Sequence, residues 1–350
     1  MEGKRIRYHR LRKGLTTEQL ASIVGCTKAA ISLYESDERK PNNEVCIKIA
    51  KALEVPWVEL LSNTNKSLVF NHISFRKKQK ASKNDIELLK SDIEKSCESR
   101  ISIMNILGGL DEKKYFVPKR LSFDDDIEKN AQIIRSSLGF PTSGPLFFIT
   151  SVLELAGIIV LSFDCAEEID GINGTVNNIP YIFFNSKIRT IERQRFTLIH
   201  EVCHLFFDET KTEKNEKEIE KYINQVAGNV LVPTDDIYSL FGRINRSLNT
   251  YIRNEVSKEY RVAPSCLITR LYEAGVITEM YYKKYFMFLN KNGGKKNEKS
   301  FLNKDWDSED PTIFNQQVYL ALSQELITAS KAAEYLNIPL FDVMQNMKVE

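Results

Sequence analysis

A chain of 350 residues exceeds what one hydrophobic core usually organises, so two or three domains are expected. With 42% hydrophobic and 27% charged residues the composition is globular, which excludes a disordered or collagen-like chain. The net charge of +2 is unevenly spread: residues 1–80 hold 16 Lys/Arg against 8 Asp/Glu, and the remainder holds 33 against 39. A basic module on a mildly acidic body points to a polyanion as the partner of the first part. Apolar runs such as Leu146–Ile149 and Ile158–Leu161 are strand-length, so no membrane contact is expected. The N-terminal stretch is basic but has no apolar signal region. Six cysteines without a CxxC pair suit buried thiols in a reducing, cytoplasmic setting.

Taken in chain order, residues 2–62 read as closely spaced short helices. The first carries Ile6 and Leu11 and ends near Gly14; the second starts at Thr16 or Thr17 and stops at Gly25. Thr27 caps a third, Lys28 to Glu35, and after a polar turn a fourth carries Val45, Ile49, Ala50 and Leu53. A last one starts at Pro56-Trp57. Apolar residues at 3- and 4-residue intervals give these helices one shared core, including Ile6, Leu20, Ile31, Ile49 and Leu53. Two short helices joined at Gly25 form a helix-turn-helix.

The pattern Arg12-Lys13-Gly14-Leu15-Thr16, Gln19-Leu20-Ala21, Gly25, Ile31-Ser32, Tyr34-Glu35, Arg39-Lys40-Pro41 and Ile49-Ala50-Lys51-Ala52-Leu53 resembles the phage-repressor (XRE-type) helix-turn-helix family. One departure is Ser36-Asp37, where the family usually has Gly. The resemblance implies that the third helix enters the major groove of double-stranded DNA, with Thr27, Lys28, Ala29 and Ser32 near base edges. Gln19, Arg39 and Lys40 would then hold phosphates, and the reader would bind its operator as a homodimer.

Residues 65–84 read as a polar, basic linker with the run Arg76-Lys77-Lys78-Gln79-Lys80; its His72 is isolated and no ligand candidate. The spacing of Ile86, Leu89, Ile93, Ile101 and Met104 predicts one long helix or two shorter ones over 85–107. Helices over 124–139 and 145–156, a buried strand at 158–161, a turn at 170–174 and a strand at 181–185 follow.

The segment His200-Glu201-Val202-Cys203-His204 puts two imidazoles on one helical face, one turn apart, with a carboxylate beside the first. This is the HExxH zinc signature. It takes two of only four histidines in the chain, on a helix otherwise lined by Phe196, Leu198, Ile199, Val202, Leu205, Phe206 and Phe207. Two unpaired histidines would be costly there. A single Zn2+ ion needs a third protein ligand. Glu220, on the helix that follows, is the favoured one and Glu218 the alternative. Asn224, one turn beyond Glu220, could hydrogen-bond the outer nitrogen of a ligand histidine.

At this point the sequence resembles the ImmA/IrrE family of zinc metallopeptidases over roughly residues 75–290. The matching pieces are Phe75-Arg76, Gly144-Pro145, Leu153 to Ile158, Asp170-Gly171, Arg193 to His204, and Asn224 to Pro233. The last piece supports Glu220 as ligand by its register. Cys203 stands where the family usually has Gly, and reads as packing before redox chemistry. Tyr222 stands where a second Glu is frequent. The activity implied is peptide hydrolysis in which Glu201 takes a proton from a zinc-activated water and later delivers it to the leaving amine. Strand 181–185 could pair with an extended substrate, and Tyr222 and Arg195 are candidates for the oxyanion stabiliser.

Residues 252–290 read as two helices of a small winged-helix-like unit supporting the peptidase core, 291–297 as a flexible linker, and 312–347 as two amphipathic helices. The expected fold class is mainly α with a small β-sheet (α+β). The expected domains are a helix-turn-helix domain at 1–64, a linker at 65–84, a zincin-like metallopeptidase at 85–290 and a helical appendage at 298–350. The function this implies is a DNA-binding regulator that cleaves or removes a repressor protein in response to stress or a mobile-element signal. The alternative is a non-proteolytic transcription factor or antitoxin whose zincin-like domain senses a ligand or binds a partner.

Overall fold

The computed structural model describes all residues except 1–2, 58–59, 61–67, 73–80, 109–114, 245–247, 304–306 and 348–350. Phe75-Arg76 and the basic run 76–80 therefore lie outside the described residues, as does part of the helix expected from Pro56. The architecture is mainly α with one four-stranded sheet, an α+β fold. No helix among the described residues is long and apolar enough to cross a membrane. The chain divides into two compact units, residues 1–69 with 80–98, and residues 70–79 with 99–350.

In the first unit, α1 (Gly3–Arg12), α2 (Thr17–Val24), α3 (Lys28–Glu35) and α4 (Asn43–Leu53) enclose a core of Ile6, Leu20, Ile31, Ile49 and Leu53. Thr16 caps α2 in a reciprocal box with Gln19, Thr27 caps α3, and Gly25 between them is left-handed at φ 77°. Asp37, where glycine was expected, adopts φ 59° and its carboxylate accepts the Gly3 N–H at 2.7 Å. A short acid that bonds locally tolerates this conformation, so the turn survives without glycine. Arg10 and Glu35 form a buried bidentate pair at 2.5 and 2.8 Å.

Helix α5 (Lys83–Ile106) is a single helix, and its residues 83–98 belong to this unit. Glu87 accepts from Arg7, and Asp92 accepts from the Tyr8 hydroxyl, each at 2.5 Å. A fragment ending at residue 65 would expose the buried Tyr8 and strip it of Asp92, so the folding unit extends past the apparent linker.

In the second unit the sheet order is β1-β3-β4-β2, with β1 Phe70–His72, β2 Ile159–Phe163, β3 Gly171–Val176 and β4 Ile179–Asn185. β2 runs parallel to β4; β3 is antiparallel to β4 and β1 to β3. The stretch 170–174, expected as a turn, is the start of β3. The turn lies at Asn177-Asn178, both at positive φ (48° and 65°). Gly171 and Gly174 suggested a turn because glycine punctuates loops, but here they permit close approach. β4 lies between two partners and all seven of its residues are buried, so it has no free edge for a substrate strand. Its nearly unbroken apolar run is that of a strand covered on both faces.

Helices α6 (Ile127–Leu138) and α7 (Ile149–Leu155) precede β2. Next come α8 (Ile191–Phe206), α9 (Glu216–Leu231), α10 (Thr234–Phe241), α11 (Thr250–Glu259), α12 (Pro264–Glu273) and α13 (Glu279–Lys291). One core joins Ile182 and Phe184 of the sheet to Leu198 and Val202 of α8, Ile223 and Val230 of α9, and Leu267 and Leu271 of α12. The residues expected to form a flexible linker include a short 3-10 turn, Lys295–Asn297, and Glu298 accepts from Ser265 N and Oγ at 2.8 and 2.6 Å. Glu192 accepts from Ser300 and Phe301, and Glu309 from Thr150 N at 2.9 Å, so three acids fasten residues 298–301 and 309 onto the body.

The C-terminal stretch holds three helices, α14 (Ile313–Ser323), α15 (Ala329–Leu336) and α16 (Leu340–Asn346). α15 and the turn into α16 repeat the cap and hinge of α2 and the turn into α3 at the same residue offsets. Thr328 caps α15 by accepting from Lys331 N as Thr16 accepts from Gln19 N. Asn337 is left-handed at φ 52° and bonds back to Ala333 O, as Gly25 does to Ala21 O. Ile338 N then reaches Ala333 O as Cys26 N reaches Ala21 O. In this register fully buried Ala332 and Val343 take the places of Leu20 and Ile31. Leu340, Phe341 and Met344, all exposed, stand where Lys28, Ala29 and Ser32 stand in α3.

Candidate metal centre

α8 starts at Thr190, whose side chain accepts from Arg193 N, and lies against β3 and β4. Its 3.6-residue period sets His200 and His204 side by side, with Nε2 atoms 3.1 Å apart. Glu220, on α9, brings Oε2 to 3.4 Å from His200 Nε2 and Oε1 to 3.7 Å from His204 Nε2. The three candidate ligands lie within 4.8 Å of one another. The edges of a tetrahedral zinc site with N and O ligands at about 2.0–2.1 Å measure about 3.3 Å, so the donor set fits the ion. Two imidazole nitrogens and a carboxylate converge here, an arrangement that a cation stabilises.

Glu218 points elsewhere. It is the third residue of α9 and its carboxylate accepts the Asn215 N–H at 2.8 Å in a capping box. Asn224 is exposed and lines the same cavity as His200, Glu201 and Glu220, but among the described contacts it bonds neither histidine. His204 Nδ1 instead meets Glu209 Oε1 at 2.6 Å, because the short turn Glu209–Lys211 after α8 folds back onto the helix end. His200 Nδ1 is buried and has no partner among the described residues.

Glu201 is 3% exposed and held by Asn173, whose Nδ2 donates to Oε2 at 2.7 Å. Asn173 escaped sequence reasoning because it was assigned to a turn; the alternation Gly171-Ile172-Asn173 along β3 is the signal that places it with Gly171 on the α8 side. A methyl group at Gly171 would lie 2.6 Å from Thr197 Cγ2 and 2.9 Å from Glu201 Cγ. Gly171→Ala is therefore expected to cost about 1–3 kcal/mol through overpacking and to displace Glu201. Thermal unfolding of the variant checks this, and an unchanged midpoint would show that the strand yields freely.

Neither side chain proposed for the oxyanion is available. Arg195 is fully buried, pairs with Glu309, and donates to Leu146 O and Arg261 O. The Tyr222 hydroxyl is engaged by Asn130 at 2.8 Å and Asp125 O at 3.0 Å, between Phe123 and Phe207. Cys203 is fully buried, and burial pushes its thiol up, so it packs and stays protonated.

The metal cluster opens on a cavity of about 640 Å³ lined by Phe196, Thr197, Leu231, Cys266 and Tyr282 and by residues 293–295. In the other unit Gln19, Thr27, Lys28, Ala29, Ser32, Arg39 and Lys40 are all exposed. Two of them have structural duties, Thr27 as cap and Gln19 in the capping box.

No curated protein matches the chain. A solved structure of Bacillus thuringiensis PlcR in complex with the peptide PapR7 and DNA aligns over 98% of this chain and 95% of that one. Its identity is 11% and its TM-score 0.19, too low to carry an argument. Residues 6–60 match the helix-turn-helix family, and residues 154–272 match a peptidase family described as the IrrE N-terminal-like domain. The chain thus joins a segment similar to the helix-turn-helix family to one similar to the IrrE N-terminal-like family.

Proposed function

We propose that the protein is a DNA-binding regulator whose second unit is a zinc-dependent peptidase acting on a repressor protein. The observation that carries this is the convergence of His200, His204 and Glu220 at one cavity with the buried Glu201 beside them. These three side chains would hold zinc, which when bound would supply Lewis-acid chemistry. Glu201 is the proton acceptor: Asn173 fixes one carboxylate oxygen, leaving the other to take a proton and return it to the leaving amine. The cavity, partly apolar beside the cluster, lowers the exposure of the reacting groups to water. Comparing the cellular proteome, and a co-encoded repressor in particular, with and without the Glu201→Gln change tests the reading. A repressor whose level and termini are the same in both would refute it.

For the first unit, the exposed face of α3, Gln19 and the loop after α3 are proposed to bind operator DNA, with Gln19, Arg39 and Lys40 at phosphates and Thr27, Lys28, Ala29 and Ser32 near bases. Arg39→Ala and Lys40→Ala in the full chain should each reduce the slope of log affinity against log salt by about 1. Slopes equal to that of the unaltered protein would place the DNA elsewhere.

A further inference from the structure

The two histidines of the cluster are held differently. His204 has a side chain 2% exposed and its Nδ1 faces the Glu209 carboxylate at 2.6 Å. Glu209 is itself held in place. The turn that carries it is tied by Asp208, which accepts from the Thr210 hydroxyl at 2.6 Å and from Thr210 N at 3.2 Å. The end of α8 is fixed by Leu121 N donating to Phe206 O and Arg120 donating to Leu205 O. His200 has no such partner on Nδ1 and rests against the Phe196 ring, 6.3 Å between centroids.

We infer that Glu209 is the positioning residue of the metal centre: by accepting the Nδ1 proton of His204 it fixes the ring and its tautomer, so that Nε2 presents its lone pair to the ion. This rests on the metal-site reading above and adds to it an assignment of which histidine is wired. A hydrogen-bonded carboxylate also makes the ligating nitrogen more basic, and loss of such a partner typically weakens metal binding about 10–100-fold. His204 is thus the anchor of the site, whereas the outer nitrogen of His200 has no partner among the described residues.

The test uses the full-length protein with zinc alone, its affinity read by competition with a chromophoric chelator, and cobalt(II) absorption as a second signature. Glu209→Ala should weaken zinc binding about 10–100-fold, shift the cobalt spectrum, and leave the melting temperature of the metal-free protein unchanged. Glu209→Gln, whose amide oxygen still accepts from Nδ1, should lose less affinity than the alanine variant and serves if that one folds poorly. Glu213→Ala, which removes an exposed acid four residues further along, should bind zinc as the unaltered protein does. Equal zinc affinity in Glu209→Ala and the unaltered protein overturns the inference. So does a loss in all three variants that merely tracks a lowered metal-free melting temperature. If the folded, unaltered protein takes up no zinc, the metal-site reading itself fails and the positioning role falls with it.

Discussion

Glu201→Gln should lower peptide hydrolysis by about 10²–10⁴-fold, the usual contribution of a positioned general base, with zinc uptake and thermal stability retained. The amide keeps the size of the side chain and can still meet Asn173, so the α8–β3 contact survives while the proton acceptor is lost. His200→Ala, by contrast, should remove metal and activity together. Running both variants through the same cellular readout separates catalysis from zinc-dependent structure. If regulation persists in Glu201→Gln and disappears in His200→Ala, the metal is structural or sensory, and the non-proteolytic reading replaces the peptidase.

The second large effect lies at a buried ion pair. Glu309→Ala leaves the Arg195 guanidinium fully buried without its carboxylate, and breaking such a pair from one side costs about 3–5 kcal/mol. Burial already pushes Arg195 down, and Glu309 is the main group opposing that shift. Thr150 also loses the acceptor of its backbone N–H. Denaturant unfolding of the second unit should show the loss. A change below 1 kcal/mol would mean that water enters the site and solvates Arg195. Because Arg195 lies on the same helix as His200 and His204, zinc affinity should fall in step with stability.

The sequence made the helix-turn-helix legible because its signals are local: caps at Thr16 and Thr27, a left-handed Gly25, and apolar residues at helical spacing. His200, Glu201 and His204 were legible for the same reason, being set by one turn of one helix. Glu220 could be favoured over Glu218 only by register, and the structure supplies the physical ground, since Glu218 is consumed by the Asn215 cap. The unread residues depend on distant pairing. Asn173 reaches Glu201 across 28 positions through the sheet, and Glu309 reaches Arg195 across 114. Glu209 is near His204 in sequence but was hidden by the 3-10 turn that reverses the chain. Asn224 was misjudged because i, i+4 spacing places it beside Glu220 but leaves it on the open side of the helix.

The replicated turn in α15 and α16 separates an architecture from its exterior. Four features recur at fixed offsets: a threonine cap, a left-handed hinge, a buried apolar residue on the first helix and a buried β-branched one on the second. On α3 this frame displays a lysine and a serine. On α16, LFDVMQN, it carries no cation at all, and the positions of Lys28, Ala29 and Ser32 hold a hydrocarbon, a ring and a thioether. A polyanion therefore finds a counter-charge on α3 and none on α16, although the two turns share the same cap and hinge hydrogen bonds. Reading nucleic-acid affinity from backbone shape alone would score them equally; the chemistry on the outward face distinguishes them.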